Sequence, residues 1–282
     1  MSDPPASKTW LRSHLRLLIP VILGVLLLIL LIAGAFWLAN PYQPLPEAQT
    51  AMVSDSVVRV HEEPWLIFEP RTLNPTAGLI LYPGGRVAPE AYAPTARALA
   101  EQGNLVVIVP MPLNLAVLAP NAAAEVIEQM ELVQHWAIGG HSLGGAMAAR
   151  FADNNPDLVD GLVLWASYPA RSNDLSRSDL AVVSVFASAD GLAGPQEVLA
   201  SAPLLPSDAR FVEIDGGNHA QFGWYGPQSG DGQADISLPA QQQVIIDATS
   251  DLLEGLSSQG APPLSKNRAL FSNPFMSPIH HR

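Results

Sequence analysis

The strongest constraint on the fold is a serine flanked by glycines, at the junction of a predicted strand and a predicted helix. The segment HWAIGGHSLGGAMAA contains Gly140-His141-Ser142-Leu143-Gly144, a G-x-S-x-G pattern. A strand that turns this sharply into a helix has no room for bulk two residues before or after the serine, and the turn holds the hydroxyl beyond the sheet edge. The pattern therefore predicts an exposed, nucleophilic Ser142, with an ordinary serine in a glycine-rich turn as the alternative.

Short apolar runs alternate with helical stretches through the central part of the chain, which predicts an α/β domain. We expect a mostly parallel central sheet of about eight strands with helices on both faces, and sites beyond the C-terminal ends of the strands. The strand candidates are Val57–Val60, Trp65–Glu69, Gly78–Tyr82, Leu105–Val109, His135–Ile138, Gly161–Trp165, Ala181–Ala187 and Arg210–Ile214, and the helix candidates are 90–101, 121–132, 143–153, 195–201 and 240–254.

An uncharged apolar run at residues 17–39 predicts one transmembrane helix ahead of this domain. At about 1.5 Å per residue the run reaches about 34 Å, enough for a hydrocarbon core of about 30 Å. Three basic residues precede it: Lys8, Arg12 and Arg16. Their position predicts a cytoplasmic N-terminus at residues 1–16 and an extracytoplasmic domain. A cleaved signal peptide, with Ala33-Gly34-Ala35 as the cleavage site and a secreted product, is the alternative.

The remaining boundaries follow from composition. The Pro-rich composition of residues 40–54 predicts a short stalk. We expect the α/β domain at residues 55–257 and a disordered tail at residues 258–282.

The charge and the cysteine content exclude several classes of function. The formal net charge of −12, without a basic cluster, argues against a nucleic-acid partner. The absence of cysteine excludes disulfides, thiol catalysis and zinc–thiolate sites.

A nucleophilic serine needs a base, and the expected place for it is the end of a late strand. The Arg210–Ile214 strand leads into Asp215-Gly216-Gly217-Asn218-His219, a flexible loop that ends in an imidazole. No other histidine lies at such a position. His219 is therefore the candidate base, with a surface-loop histidine as the alternative.

The base in turn needs an acid that fixes its tautomer. The Ala181–Ala187 strand is followed closely by Asp190, which gives the chain order Ser, Asp, His. Three other aspartates remain weaker candidates for this role: Asp174, Asp179 and Asp215.

Acyl transfer also requires hydrogen-bond donors for the oxyanion. One expected donor is the backbone N–H of Leu143, directly after the serine. The other is expected from the loop after Gly78–Tyr82, where Gly85 or Arg86 is the candidate and a plain turn is the alternative.

These motifs together resemble the α/β-hydrolase superfamily over roughly residues 55–255. The matching features are GGHSLGG, YPGG, the aspartate after the penultimate strand and the histidine after the last. Within the superfamily, GGNHAQFGWYGPQSGDGQADIS resembles compact bacterial membrane-anchored hydrolases related to the dienelactone-hydrolase branch. Dienelactone hydrolases use a cysteine nucleophile where this chain has Ser142, so the resemblance does not carry their substrate over. Pro83 also stands where many esterases have histidine.

The expected activity is hydrolysis of a carboxylic ester or thioester through an acyl-serine, without metal or organic cofactor. Acyl transfer at the same site and a non-catalytic binding role are the alternatives.

Trp224 and Tyr225 are expected either to line an acyl pocket or to anchor a loop. The short connection after Gly161–Trp165 predicts that the domain has no large lid.

Overall fold

The structure is a computed structural model that describes residues 19, 22–32, 34, 40–71 and 74–258. Residues 22–32 are helical. In the described part of the chain, no helix has the length and apolar character needed to cross a membrane. The segment 17–39, predicted to span a membrane, lies partly outside the described residues, and residues 1–16 and 259–282 lie wholly outside them.

The described chain forms one eight-stranded mixed sheet in the order β1-β2-β4-β3-β5-β6-β7-β8. Strand β1 pairs antiparallel with β2, and β2 pairs antiparallel with β4, whereas all remaining pairs are parallel. The strands are β1 (Val58–His61), β2 (Leu66–Pro70), β3 (Ala77–Tyr82), β4 (Leu105–Ile108), β5 (His135–His141), β6 (Gly161–Trp165), β7 (Ala181–Ala187) and β8 (Arg210–Ile214).

Helices cover both faces of this sheet and bury two separate apolar layers. Helices α1, α2 and α6 contribute to one layer, and α3 and α4 to the other. The α-helices that pack in or around the sheet are α1 (Pro46–Ala51), α2 (Ala93–Glu101), α3 (Ala123–Gln129), α4 (Leu143–Asn154), α5 (Pro195–Ala200) and α6 (Leu238–Ser258). Single 3-10 turns lie at Pro89–Tyr92, Pro112–Asn114, Ala116–Leu118, Ala202–Leu204 and Ala220–Phe222.

All eight predicted strands are present, and the largest difference concerns β5. It extends to His141 rather than ending at Ile138, because Gly139 and Gly140 continue the pairing with β6. This extension was not predicted from the sequence because glycine is a weak strand former. The predicted helix at 121–132 is shorter in the structure, and the one at 240–254 is longer.

Residues 41–54, interpreted from the sequence as part of a stalk, pack against the domain. The N–H of Tyr42 donates to the carbonyl of Arg86 over 2.7 Å, and the N–H of Leu45 donates to the carbonyl of Trp224 over 2.7 Å. Helix α1 then buries Ala48 and Ala51. This segment therefore joins the loop after β3 to the loop after β8.

The connection between β6 and β7, residues 166–180, contains neither a helix nor a strand. The ends of β3, β5, β7 and β8 carry the candidate site residues, and the parallel pairing of these strands with their neighbours brings those ends to one edge of the sheet.

Candidate active site

Ser142 occupies a strained turn between β5 and α4. Its backbone has φ 53° and ψ −121°, a conformation that costs a non-glycine residue about 1–3 kcal/mol. A Cβ atom added at Gly144 would lie 2.1 Å from the carbonyl oxygen of Tyr82, so this position requires glycine. The Ser142 N–H donates to the carbonyl of Trp165 over 2.9 Å, which ties the turn to β6. The sheet therefore holds the turn in place despite its strain.

Asp190 and His219 form a buried pair at the ends of β7 and β8. Oδ2 of Asp190 lies 2.8 Å from Nδ1 of His219, and the two side chains are 0% and 1% exposed. The other carboxylate oxygen, Oδ1, accepts the N–H groups of Leu192 and Ala193, each over 2.7 Å. Since a carboxylate only accepts, Nδ1 of His219 carries the proton and Nε2 is left as an acceptor.

The other three candidate acids do not contact His219. Asp215 is exposed and lies 3.4 Å from the Ser188 hydroxyl. Asp174 is exposed and accepts the N–H of Ser176. Asp179 is exposed in the same connection. Asp190 is therefore the carboxylate that the structure places against the imidazole.

The side chains of Ser142 and His219 share no hydrogen bond in the structure, although the residue before the serine packs against the imidazole. Nε2 of His219 is buried and has no hydrogen-bond partner among the described residues. The ring of His141, directly before the serine, lies 4.5 Å from the His219 ring between centroids. Hydrogen bonds between a catalytic base and its nucleophile are often long in unliganded enzymes and tighten when substrate binds.

The loop after β3 approaches the start of α4, where oxyanion donors were expected. A Cβ atom on Gly85 would lie 3.3 Å from Cδ2 of Leu143, so the two backbones are neighbours. The N–H of Leu143 belongs to the first turn of α4 and has no carbonyl to bind within the helix. The N–H of Arg86, in contrast, donates to the carbonyl of Asn114 over 2.7 Å. The expectation that Arg86 supplies the donor does not fit this geometry, and Gly85 is the better candidate.

A buried tyrosine that the sequence did not single out connects this loop to the serine turn. The hydroxyl of Tyr92 accepts the N–H of Gly84 over 2.9 Å and lies 2.8 Å from Nδ1 of His141. Tyr92 therefore joins the Gly84 backbone and the His141 ring through one hydroxyl group. Burial, together with the nearby His219, holds the pKa of His141 well below its usual value, and burial raises the pKa of Tyr92. Both side chains are therefore neutral near pH 7.

Trp224 and Tyr225, expected either to line an acyl pocket or to anchor a loop, both contact neighbouring loops, and the acyl pocket stays a prediction. The N–H of Trp224 donates to the carbonyl of Ala91 over 2.8 Å. Tyr225 is 6% exposed, and its ring packs on that of Tyr42 with 5.4 Å between centroids. Among the residues that the structure describes, no three His, Asp or Glu side chains are grouped to hold a metal ion.

The low pKa of His141 predicts a pH-dependent stability. Below the usual histidine pKa of 6.5, His141 is protonated in the unfolded chain but stays neutral in the folded protein. The neutral His141 therefore does not reduce the free energy of unfolding above pH 6.5. Below that pH, the free energy of unfolding falls by up to about 1.4 kcal/mol per pH unit because of this residue. His141→Asn, which keeps a side chain that can hydrogen-bond Tyr92, is expected to remove this part of the slope in urea unfolding between about pH 7 and pH 5. Equal slopes in the wild-type protein and His141→Asn would contradict the assignment.

Comparison with known proteins agrees with this architecture. The sequence profile of the alpha/beta hydrolase family matches residues 78–243. No curated protein matches the chain. A solved structure described as a predicted CIB-like hydrolase from Thermoplasma acidophilum is similar, with a TM-score of 0.51 and 16% sequence identity over 70% of this chain and 99% of that chain. At this identity the likeness supports the fold alone. With the family profile spanning β3 to α6, and the strand order and serine turn described above, the chain belongs to the alpha/beta hydrolase family.

Proposed function

We propose that this protein hydrolyses a carboxylic ester or thioester, with Ser142 as nucleophile, His219 as general base and Asp190 as the acid that orients it. The observation that carries the proposal is the buried Asp190–His219 pair. It fixes the proton on Nδ1 and leaves Nε2 of His219 without a partner among the described residues, beside the serine turn. A buried acceptor without a partner is costly and therefore rare in folded proteins, so its presence calls for an explanation. Accepting the serine proton is such an explanation.

The proposed reaction proceeds in two halves. Nε2 of His219 takes the proton of the Ser142 hydroxyl while Oγ attacks the carbonyl carbon of the substrate. The N–H groups of Leu143 and Gly85 donate to the oxyanion, and each such donor contributes roughly 3–4 kcal/mol. His219 then protonates the leaving alcohol or thiol as its bond to the carbonyl carbon breaks. Water, deprotonated by His219, attacks the acyl-serine, and the proton returns to Ser142 as the acid product leaves.

A relation to the dienelactone-hydrolase branch remains part of this proposal. Its support is the sequence from Gly216 to Ser237, which resembles the segment around the histidine in that group. The nucleophile differs, because Ser142 replaces cysteine. A hydroxyl depends on its base for activation far more than a thiol does. Tight orientation of His219 is accordingly more important in this chain than in a cysteine enzyme.

Treatment of the full-length chain with a fluorophosphonate probe tests the proposal. We expect one covalent adduct on the peptide that contains Ser142, located by mass spectrometry, and turnover of nitrophenyl esters whose acyl length bounds the pocket. Ser178→Ala is the matched control. This serine donates to the carbonyl of Leu175, in the β6–β7 connection, and its loss should change neither labelling nor turnover. A folded protein without adduct and without turnover would instead indicate a binding protein on the hydrolase fold.

A further inference from the structure

A single carboxylate, that of Asp231, connects the two loops that carry Asp190 and His219. Its Oδ1 accepts the N–H of Gly191 over 3.2 Å, directly after Asp190, and the N–H of His219 over 3.1 Å. Its Oδ2 accepts the N–H of Ala220 over 2.8 Å. One side chain thus binds the backbone on both sides of the Asp190–His219 contact.

The backbone around Asp231 is built for this close approach. A Cβ atom at Gly232 would lie 1.9 Å from the carbonyl oxygen of Ala189. The turn that carries Asp231 therefore touches the turn that carries Asp190, backbone to backbone. The N–H of Gly232 also donates to Oδ1 of Asp231 over 2.8 Å, which fixes the orientation of the carboxylate.

The strands and the first residues after them join the two loops only up to a point short of the two side chains. Pairing between β7 and β8 ends at Ala187 and Ile214, and the N–H of Ala189 then donates to the carbonyl of Gly217 over 2.9 Å. Neither contact includes Asp190 or His219, and a base must be placed accurately to act. Hydrogen bonds to an ionised carboxylate are about twice as strong as those between neutral groups. Three of the four hydrogen bonds to Asp231 reach the two loops, one from Gly191 and two from His219 and Ala220, and together they link the loops.

We propose that Asp231 is a positioning residue that holds His219 in register with Asp190. Its effect on turnover rests on the function proposed above, whereas its effect on the Asp190–His219 hydrogen bond does not. Because both carboxylate oxygens of Asp231 already accept backbone N–H groups, its loss should act on kcat more than on KM.

Asp231→Asn is the sharpest test because it keeps the shape of the side chain. An amide has one carbonyl oxygen, so its NH2 group must face at least one of the N–H groups that the carboxylate accepts. We expect kcat to fall roughly 10- to 100-fold with KM changed less than about threefold. We also expect the downfield proton resonance of the His219 Nδ1–H, bonded to Asp190, to broaden or vanish.

Two control variants separate positioning from charge and from stability. Asp235→Asn removes an exposed carboxylate four residues further along the same segment and should change neither kcat nor the resonance. Asp55→Asn removes a carboxylate that accepts the N–H groups of Val57 and Val58 beside β1. It should lower the melting temperature and leave kcat and the resonance unchanged.

The proposal is overturned if folded Asp231→Asn keeps both kcat and the resonance of the wild-type protein. It is also overturned if the resonance persists while only the melting temperature falls. If Asp231→Asn does not fold, Asp231→Ser, which keeps a hydroxyl acceptor, carries the same expectations. If the wild-type protein has no esterase activity, the resonance still decides the role of Asp231, so failure of the proposed function and failure of this inference are distinguishable.

Discussion

Replacing Ser142 with alanine is expected to lower kcat for ester hydrolysis by roughly 10⁶-fold and to abolish fluorophosphonate labelling. The hydroxyl is the atom that forms the acyl intermediate, and nothing else at the turn can replace it. The fold should survive, because alanine keeps the Cβ atom and the backbone contacts of Ser142 with Trp165. Circular dichroism and the melting temperature check that point. Residual turnover of the variant above the rate in water would measure what binding and the oxyanion donors contribute alone.

Comparing Ser142→Gly with Ser142→Ala measures the backbone strain at this turn. The φ of 53° with ψ of −121° is tolerated by glycine and strained for other residues. Glycine should therefore raise the free energy of unfolding by about 1 kcal/mol relative to alanine, after its greater freedom in the unfolded chain is subtracted. Both variants should be inactive. If Ser142→Ala kept full turnover, the serine mechanism and the acyl-transfer alternative would both be excluded.

The parts of the site that follow strand ends could be predicted from the sequence. Ser142, Asp190 and His219 each come shortly after an apolar run, and parallel strands bring such ends to one edge of a sheet. The strands themselves are recognisable because burial on both faces gives continuous aliphatic runs. The predicted strand ends therefore place these three residues at one edge of the sheet, and the glycine pattern singles out Ser142.

Contacts between loops could not be predicted in the same way. Tyr92 and His141 are 49 positions apart, and Asp231 is 40 positions from Gly191. Their meeting depends on the conformations of the loops, for which neither hydrophobic periodicity nor a motif gives a signal. The sequence also could not decide whether Gly85 or Arg86 supplies the oxyanion donor. That decision depends on a contact between loops, because the Arg86 N–H donates to the carbonyl of Asn114 in the loop after β4. Proline content likewise indicated a stalk at 40–54 but not that its Tyr42 would pair with the loop after β3.

Asp190→Asn is expected to lower kcat by roughly 10⁴-fold with the fold intact. The reason lies in the two N–H groups of Leu192 and Ala193, which both donate to Oδ1 of Asp190. An asparagine must keep its carbonyl oxygen at that position, so its NH2 group faces Nδ1 of His219. Nδ1 then accepts, the ring proton moves to Nε2, and Nε2 can no longer take the proton of Ser142. KM should change little because the substrate does not touch this buried side.

The matched control for this prediction is Asp215→Asn. Asp215 follows β8 four residues before His219 and was a candidate acid in the sequence, but its carboxylate is exposed and faces the Ser188 hydroxyl. Its loss should change kcat less than about twofold, as expected for a surface carboxylate away from the reaction. The opposite ranking, with Asp215→Asn inactive and Asp190→Asn active, would mean that the loop after β8 rearranges when substrate binds. In that case the short contact between Asp190 and His219 would belong to the resting protein alone. The two variants remove the same charge from neighbouring loops, but only Asp190 contacts the imidazole. The expected ranking would therefore show that Asp190 is the residue that fixes the tautomer of His219.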